Sequence, residues 1–122
     1  MPNFILSPAA EEDIVSILAW SHREFGEQAR FRYEALLVQA MIDIAADPER
    51  LGMIRRDELR EGAFTYHLWH SRLHVGESIG QVSRPRHFLL FRRAVGGIEI
   101  GRVLHDSVDL QRHLPAGYTD ES

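Results

Sequence analysis

The hydrophobic positions in the first part of the chain recur every three or four residues, which is the spacing of an amphipathic helix. This periodicity predicts one helix over residues 8–25 and a second over residues 27–46. Ser7 is a typical N-cap and Pro8 a typical first helical residue, while Gly26 between the two segments ends the first helix. Two successive helices with so short a connection predict an antiparallel helical hairpin.

The second predicted helix is apolar on more than one side. One stripe consists of Tyr33, Leu37, Ala40, Met41 and Ile44. Three further apolar residues lie off that stripe: Phe31, Leu36 and Val38. Such a helix is either deeply buried or has two burial partners, the sheet on one side and another chain on the other, and the pattern favours neither. For a partner chain, Trp20 is a further candidate anchor, because buried aromatic residues dominate interface energies.

Short apolar runs before and after the helices predict strands. Residues 3–6 form the first, residues 64–70 alternate between two faces, and residues 88–91 are apolar on both faces, which predicts a central strand. Gly96-Gly97 and the strand-like residues 98–105 then complete a β-hairpin, because glycine adopts the positive φ of a tight turn.

The predicted order β-α-α-β-β-β indicates an α+β fold, in which the helical hairpin packs on one face of a small, mostly antiparallel sheet. Residues 47–62 and most of residues 71–85 are predicted loops, apart from a short strand at residues 73–75. Residues 106–114 are predicted to form a final turn or short helix.

Length and composition narrow the class of protein. A chain of 122 residues with ordinary apolar content predicts a single domain over residues 1–122, with residues 115–122 as a flexible tail. The absence of cysteine excludes disulfides and thiolate metal sites. No apolar run is long enough to span a bilayer and the N-terminus does not resemble a signal peptide, so we expect a cytoplasmic protein without membrane contact.

The cationic side chains are unevenly distributed, and all 14 are arginine. Residues 1–50 carry nine acidic residues and four arginines, whereas residues 51–114 carry ten arginines and seven acidic residues. The basic half suits an acidic protein partner or RNA, and charge alone does not distinguish them. Without lysine, any side chain that holds a phosphate or carboxylate by its charge is an arginine fork or a histidine.

Three closely spaced histidines, His67, His70 and His74, raise the question of a metal site. On a strand, His67 and His70 lie on opposite faces, and Glu77 is the one nearby carboxylate, so we expect no metal here. Ser71 beside His70 is not a nucleophile pair, because adjacent strand side chains diverge. The glycine pairs lack the lysine and the strand-to-helix context of a phosphate loop, and we expect no cofactor.

Several segments, in order, resemble the ParE toxins of the RelE/ParE superfamily, the toxin halves of bacterial toxin–antitoxin pairs. The segments that carry the resemblance are residues 6–13 (LSPAAEED), Phe25-Gly26 with Ala29 and Tyr33, Asp47-Pro48 through Arg60, Pro85–Phe88, Arg102–Asp106, Asp109 and His113-Leu114. The resemblance runs from Phe4 to Leu114 and is most specific at the last two strands. Residues 66–83 form an insertion relative to the shorter members, similar to a longer branch of the family.

The resemblance implies a RelE/ParE-like fold and a toxin that acts by binding DNA gyrase and not as an enzyme. It also implies a ParD-like antitoxin that lays a helix on the helical hairpin. The candidates for antitoxin binding are Trp20, Phe31, Leu36 and Val38. The candidates for target binding, on the strands that most resemble the family, are Arg86, Arg92, Arg102 and His105. We expect no direct contact with nucleic acid except through the antitoxin complex.

Two alternatives remain open. RelE-type relatives cleave mRNA on the ribosome, which requires an acid–base group and a cation; here these are His105 and either Arg102 or Arg72. The structural interpretation of the same residues is that Arg102 and His105 pair with Asp106 and Asp109 and hold the end of the chain. The second alternative is a degenerate toxin that only binds its antitoxin and acts as a co-repressor.

Overall fold

In the computed structural model, which describes residues 3–108, two long helices pack on one face of a five-stranded mixed sheet. The elements in chain order are β1 (Phe4–Leu6), α1 (Pro8–Phe25), α2 (Glu27–Ala46), β2 (Met53–Arg55), β3 (Ala63–His67), a 3₁₀ helix (Leu68–His74), β4 (His87–Ala94) and β5 (Gly97–His105). The strand order is β1-β5-β4-β3-β2. β1 pairs with β5 in parallel and the other pairs are antiparallel, which confirms the predicted α+β fold.

The helices α1 and α2 have the bounds that the periodicity predicts. Ser7 Oγ accepts a hydrogen bond from the backbone N–H of Ala10 (3.0 Å) and donates one to the carbonyl oxygen of Gly101 (2.7 Å), so the cap also joins α1 to β5. Gly26 has a φ of 93°, which residues with side chains rarely adopt, and this allows the abrupt turn into α2. No helix within residues 3–108 combines the length and apolar character needed to span a membrane.

The main core lies between the helices and the sheet. The predicted stripe of α2 is buried there, and Leu36, predicted to lie off the stripe, is buried with it at 0% exposure. Phe64, Tyr66 and Leu68 also face this core, as their alternation predicts. The helical hairpin is therefore attached to the sheet by contiguous apolar packing, which is the main stabilising contribution in a domain of this size.

A smaller apolar cluster covers part of the opposite face of the sheet. Its buried members are Leu59, Ala63, Leu90 and Leu104, and Phe88 and Val108 pack against them. β4 contributes Leu89 and Phe91 to the main core and Leu90 to the smaller cluster. The doubly apolar pattern of this strand therefore predicted its central position correctly.

The predictions for two connecting segments are wrong in detail. The predicted loop 47–62 contains β2, a three-residue edge strand with two exposed residues, which is too short and polar for a periodic signal. The hairpin turn comprises Val95 and Gly96, with a φ of 80° at Gly96, while Gly97 is the first residue of β5. A side chain at Gly97 would collide with the backbone of Asn3, which explains the second glycine.

The strand predicted over residues 64–70 ends early, at His67. A 3₁₀ helix follows in place of its last residues and of the predicted strand at residues 73–75. The turn begins because the His67 side chain accepts a hydrogen bond from the backbone N–H of Trp69 (3.0 Å). Predicted features at Asp109, His113 and residues 115–122 lie outside the described residues.

Candidate functional site

A groove of about 490 Å³ lies between the helical hairpin and the segment that leads into β4. Trp20 and Phe25 line it from α1, Tyr33 from α2, and Val82 and Arg84 from the facing segment. Most of this wall is apolar, and arginines stand at its edge. The combination is typical of a site for an amphipathic partner.

The wall opposite the hairpin belongs to the insertion and the residues that follow it. Ile79 and Val82 pack against the main core. The Nε–H of Arg32 on α2 donates a hydrogen bond to the carbonyl oxygen of Ile79 (3.3 Å), and the guanidinium lies against Gly80, whose φ of 95° favours glycine. The insertion therefore shapes the groove through contacts with α2.

Trp20 is the large aromatic side chain of this site that is most suited to contact a partner. It is 44% exposed, although it belongs to a helix of a packed hairpin. Its ring meets that of Phe25 edge-to-face, with centroids 5.5 Å apart, so the two rings hold each other on the surface. The placement agrees with its candidacy as an anchor, which stays a prediction.

Tyr33 and His87 form a buried pair at the inner end of the groove. Tyr33 Oη lies 2.5 Å from His87 Nδ1, and the backbone N–H of Arg86 donates to the same hydroxyl oxygen (3.2 Å). Burial lowers the pKa of His87 from 6.5 to about 4 and raises the pKa of Tyr33 to about 12. At neutral pH both groups are therefore uncharged. Because the Tyr33 hydroxyl has no other hydrogen-bond acceptor among the described residues, we assign its proton to the bond with Nδ1, which places the imidazole proton on Nε2.

His87 also lines a second, smaller cavity of about 200 Å³ on the same side of the sheet. Ser16, Ile17 and Trp20 of α1 form one wall of this cavity, and His105 of β5 forms the other. The rings of His87 and His105 are cross-strand neighbours with centroids 5.3 Å apart. Trp20 and His87 therefore stand between the two cavities and belong to both.

The end of β5 carries a cluster of polar groups around Asp106. Arg86 donates to both carboxylate oxygens (2.9–3.2 Å), and Asp106 is also 3.1 Å from Nε2 of His67. The hydrogen bonds from Arg86 lower the pKa of Asp106 from 3.8 to about 2. His105 lies on the edge of this cluster, 2.8 Å from the Ser107 hydroxyl.

Arg102 pairs with Asp13 of α1, which the structural interpretation did not consider; Asp109, one of the two partners it expected, lies outside the described residues. Its guanidinium forms a two-point contact with Asp13 of α1, at 2.7 and 2.9 Å. The expectation considered only neighbours in sequence, whereas the partner lies 89 residues away. Arg102 and Asp13 retain only 21% and 15% of their side-chain exposure, so this pair belongs to the packing of α1 on the sheet.

The other two arginines with predicted roles also have partners inside the chain. Arg92 on β4 bonds its cross-strand neighbour Glu99 on β5 at 2.9 Å. Arg72 lies 3.5 Å above the ring of Trp69 and donates to the Trp69 carbonyl oxygen (2.9 Å). Arg72 therefore belongs to the local structure of the 3₁₀ helix.

A buried polar network joins the 3₁₀ helix to α2. Asp43, 8% exposed, accepts hydrogen bonds from Ser71 Oγ (2.5 Å) and Gln39 Nε2 (2.9 Å), and His74 Nδ1 is 2.8 Å from the same carboxylate. Burial opposes ionisation of Asp43, but these hydrogen bonds outweigh it and hold its pKa below the usual value. Ser71 is fully buried and bonds the carboxylate, as well as the hydroxyl of Tyr66 (2.8 Å). The network is therefore a structural clamp.

The three histidines considered for a metal site do not converge. His67 contacts Asp106, and His74 contacts Asp43. His70 lies against the rings of Tyr66 and Trp69. Within residues 3–108 no group of three or more potential ligands is arranged to hold a metal ion.

The outer face of α2 carries an exposed apolar stripe. Phe31 and Val38 lie on it, at 47% and 44% exposure, and Ile42 extends it at 42%. The candidacy of Phe31 and Val38 as antitoxin-binding residues stays a prediction. The candidacy of Leu36 as a docking residue is wrong, because its side chain is fully buried in the main core. Its position on the helix faces the sheet, so it has no surface to offer a partner.

Several residues of the site were not identified from the sequence. They are Asp13, Arg32, Tyr33, Asp43, Arg84 and His87. For two of them a signal existed: Tyr33 lies on the buried stripe and His87 begins the central strand, and buried polar atoms need partners. Asp13 was interpreted only as a charge that suits the N-terminal end of α1.

Comparisons with known proteins identify the family. Residues 4–110 match the model of the family described as "ParE toxin of type II toxin-antitoxin system, parDE". No curated protein matches the sequence significantly. The family match spans both helices and all five strands of the described fold, including the groove and the Asp106 cluster. The chain therefore belongs to the ParE toxin family, whose members are the toxins of type II toxin–antitoxin systems.

Proposed function

We propose that this toxin inhibits DNA gyrase by binding to it and that a ParD-like antitoxin neutralises it. Membership of the ParE family supports the toxin class. One observation favours inhibition by binding over hydrolysis of mRNA. The side chains of the nuclease alternative are all engaged in contacts within the fold, namely Arg102 with Asp13, Arg72 with Trp69 and His105 with Ser107.

A basic surface supports an acidic target. Four arginines line a second groove, of about 510 Å³, over β2, β3 and β4: Arg55, Arg60, Arg92 and Arg93. Their contacts include ion pairs at the surface, such as Arg93 with Glu49 at 3.5 Å. Exposed pairs of this kind contribute little free energy, so the carboxylates of a large partner can replace them. Of the predicted target-binding residues, Arg92 belongs to this surface, while Arg102 is assigned to the fold.

The helical hairpin supports the antitoxin part of the proposal. Trp20 on α1 and the α2 stripe with Phe31 and Val38 expose apolar surface on the layer that covers the sheet. A helix that inserts apolar side chains into such a surface is a common mode of recognition. Antitoxin and target would then bind different layers of the toxin.

The proposal is tested with purified toxin in two assays run side by side. One measures supercoiling of relaxed plasmid by gyrase, and the other measures cleavage of mRNA on programmed ribosomes. We expect inhibited supercoiling and intact mRNA. Replacing Arg55 and Arg93 by Glu should weaken gyrase inhibition about 10-fold or more and in a salt-dependent manner.

The control variant is Arg23→Glu, a charge reversal on the exposed surface of α1, which should leave gyrase inhibition unchanged. Cleavage of mRNA together with unaffected gyrase would contradict the proposal and show that the toxin is a ribosome-dependent nuclease. Activity in neither assay, together with antitoxin binding, would indicate the co-repressor alternative.

A further inference from the structure

The wall between the two cavities presents one hydrogen-bond donor that the fold does not use. His87 is 7% exposed, and its Nδ1 is occupied by Tyr33. Within residues 3–108 its Nε2 makes no hydrogen bond. Because Arg50 Nε is the only fully buried side-chain nitrogen or oxygen without a partner among the described residues, Nε2 of His87 still reaches open space. His87 lines both cavities.

Two arginines stand over the same groove without a carboxylate partner among the described residues. Arg32 on α2 bonds a carbonyl oxygen of the insertion, and Arg84 on the opposite wall makes no ion pair. Both side chains belong to exposed residues. The groove therefore has an apolar wall at Trp20 and Phe25, a neutral donor at its inner end and cations at its edge.

We propose that this groove binds an acidic, amphipathic segment of the antitoxin, with a carboxylate of that segment accepting a hydrogen bond from Nε2–H of His87. This inference rests on the proposed neutralisation by an antitoxin and names the chemistry that the toxin recognises. Apolar side chains of the segment pack on Trp20 and Phe25, and a second acidic residue lies between Arg32 and Arg84.

The chemistry of the groove favours a peptide over RNA. An RNA strand needs a continuous track of cations along its phosphates, whereas this groove is mainly apolar and the chain carries a net charge of −4. A neutral imidazole donor at the end of an apolar groove suits a single carboxylate, because a hydrogen bond to a charged acceptor is strong where water is excluded.

Tyr33 is the positioning residue of this site. By donating to Nδ1, its hydroxyl keeps the imidazole proton on Nε2, and Arg86 fixes the hydroxyl through its backbone N–H. Without the hydroxyl, the proton is free to move to Nδ1, and Nε2 then becomes an acceptor that repels a carboxylate. Tyr33→Phe therefore changes the hydrogen-bonding character of His87 without changing His87 itself.

The test uses the toxin co-expressed with the antitoxin encoded beside it and overlapping peptides that cover that antitoxin. Binding of each peptide to the full toxin chain is measured by calorimetry. We expect one acidic, amphipathic peptide to bind, and His87→Phe to weaken its binding about 10- to 100-fold. Replacing the essential Glu or Asp of the peptide by its amide should have an effect of similar size.

Substitutions at exposed residues still test the inference if His87→Phe does not fold, because they leave the core unchanged. Arg84→Glu should weaken binding of the acidic peptide several-fold, and a peptide with Arg in place of the facing acid should recover it. Arg23→Glu is the matched control on α1 and should leave binding unchanged. Binding that is indifferent to Arg84→Glu and to amide substitution in the peptide would overturn the inference.

Nitrogen-15 NMR of the histidine rings reports which ring nitrogen carries the proton. If Tyr33 and His87 only stabilised the fold, peptide binding would not change this signal. The wild-type His87 should show a protonated Nε2, a shift of that nitrogen on peptide binding, and a mixture of tautomers in Tyr33→Phe. A short RNA that shifts His87 while the peptides do not would also overturn the inference. If the full antitoxin does not bind wild-type toxin at all, the proposed neutralisation is wrong. If the antitoxin binds but none of the groove variants weakens its binding, the neutralisation stands and only the inference about this groove is wrong.

Discussion

Asp13 on α1 clamps β5 through both the side chain of Arg102 and the backbone of Val103. The carboxylate accepts two bonds from the Arg102 guanidinium, at 2.7 and 2.9 Å, and one from the Val103 N–H, at 2.9 Å. β1 pairs with β5 only as far as Ile100, so the edge of β5 beyond that point lacks a strand partner on this side. Asp13 occupies this place and satisfies a backbone donor that the sheet leaves open.

The first prediction concerns this clamp. Asp13→Ala should lower the free energy of unfolding by about 2–4 kcal/mol, because it removes the acceptor of two hydrogen bonds from the mostly buried Arg102 and of one from the Val103 N–H. Chemical denaturation measures the change. Glu11→Ala, a change at an exposed acidic residue in the first turn of α1, should cost about 0.5 kcal/mol. Equal effects of the two variants would show that the clamp contributes no more than a charge near the helix end.

The second prediction concerns the attachment of the 3₁₀ helix to α2. Ser71→Ala removes a buried donor from Asp43 and should lower the free energy of unfolding by about 1–3 kcal/mol. Ser78→Ala is the matched control, since Ser78 is exposed in the same insertion. Hydrogen exchange should show faster exchange at residues 68–74 in Ser71→Ala alone. Unchanged protection there would mean that the network does not hold the insertion in place.

The third prediction separates two neighbouring apolar residues of α2. Leu36→Ala should lower the free energy of unfolding by about 2–5 kcal/mol, since it opens a cavity in the main core. Val38→Ala removes a side chain that is 44% exposed and should cost about 1 kcal/mol or less. Thermal or urea unfolding of both variants measures the difference. A mild effect of Leu36→Ala would contradict the assignment of this residue to the core.

The fourth prediction concerns pH. The pKa of His87 is about 4 in the folded chain and 6.5 when the residue is solvated, so the unfolded chain takes up a proton first as the pH falls. The stabilising contribution of His87 to the free energy of unfolding is therefore fully present above pH 6.5 and declines as the pH falls from 6.5 to 4. Between pH 7 and 5 the loss should amount to about 2 kcal/mol in the free energy of unfolding.

Urea unfolding of wild type and His87→Gln at pH 7, 6 and 5 measures this contribution. The variant lacks the titrating group, so the difference between the two proteins should shrink as the pH falls. Parallel stability curves for wild type and variant would show that the ring of His87 is protonated equally in the folded and unfolded chains.

Local patterns predicted the elements with strong periodicity. The bounds of α1 and α2, the cap at Ser7 and the central place of β4 follow from residue spacing, because the side chains of these elements meet the core at every turn or every second residue. β2 and the 3₁₀ helix were not predicted. β2 has three residues, and the 3₁₀ helix depends on hydrogen bonds to Asp43, which is remote in the sequence.

The sequence by itself determined the two-helix layer, the α+β class and the resemblance to the ParE toxins. Only the tertiary structure decided which polar groups meet. Asp13 finds Arg102 across 89 residues, and Tyr33 finds His87 across 54. These pairings depend on how the hairpin is placed over the sheet, and that placement is the sum of many core contacts. A short sequence pattern does not contain this information, because the residues around a side chain in the sequence are the same whichever distant partner it contacts in the fold.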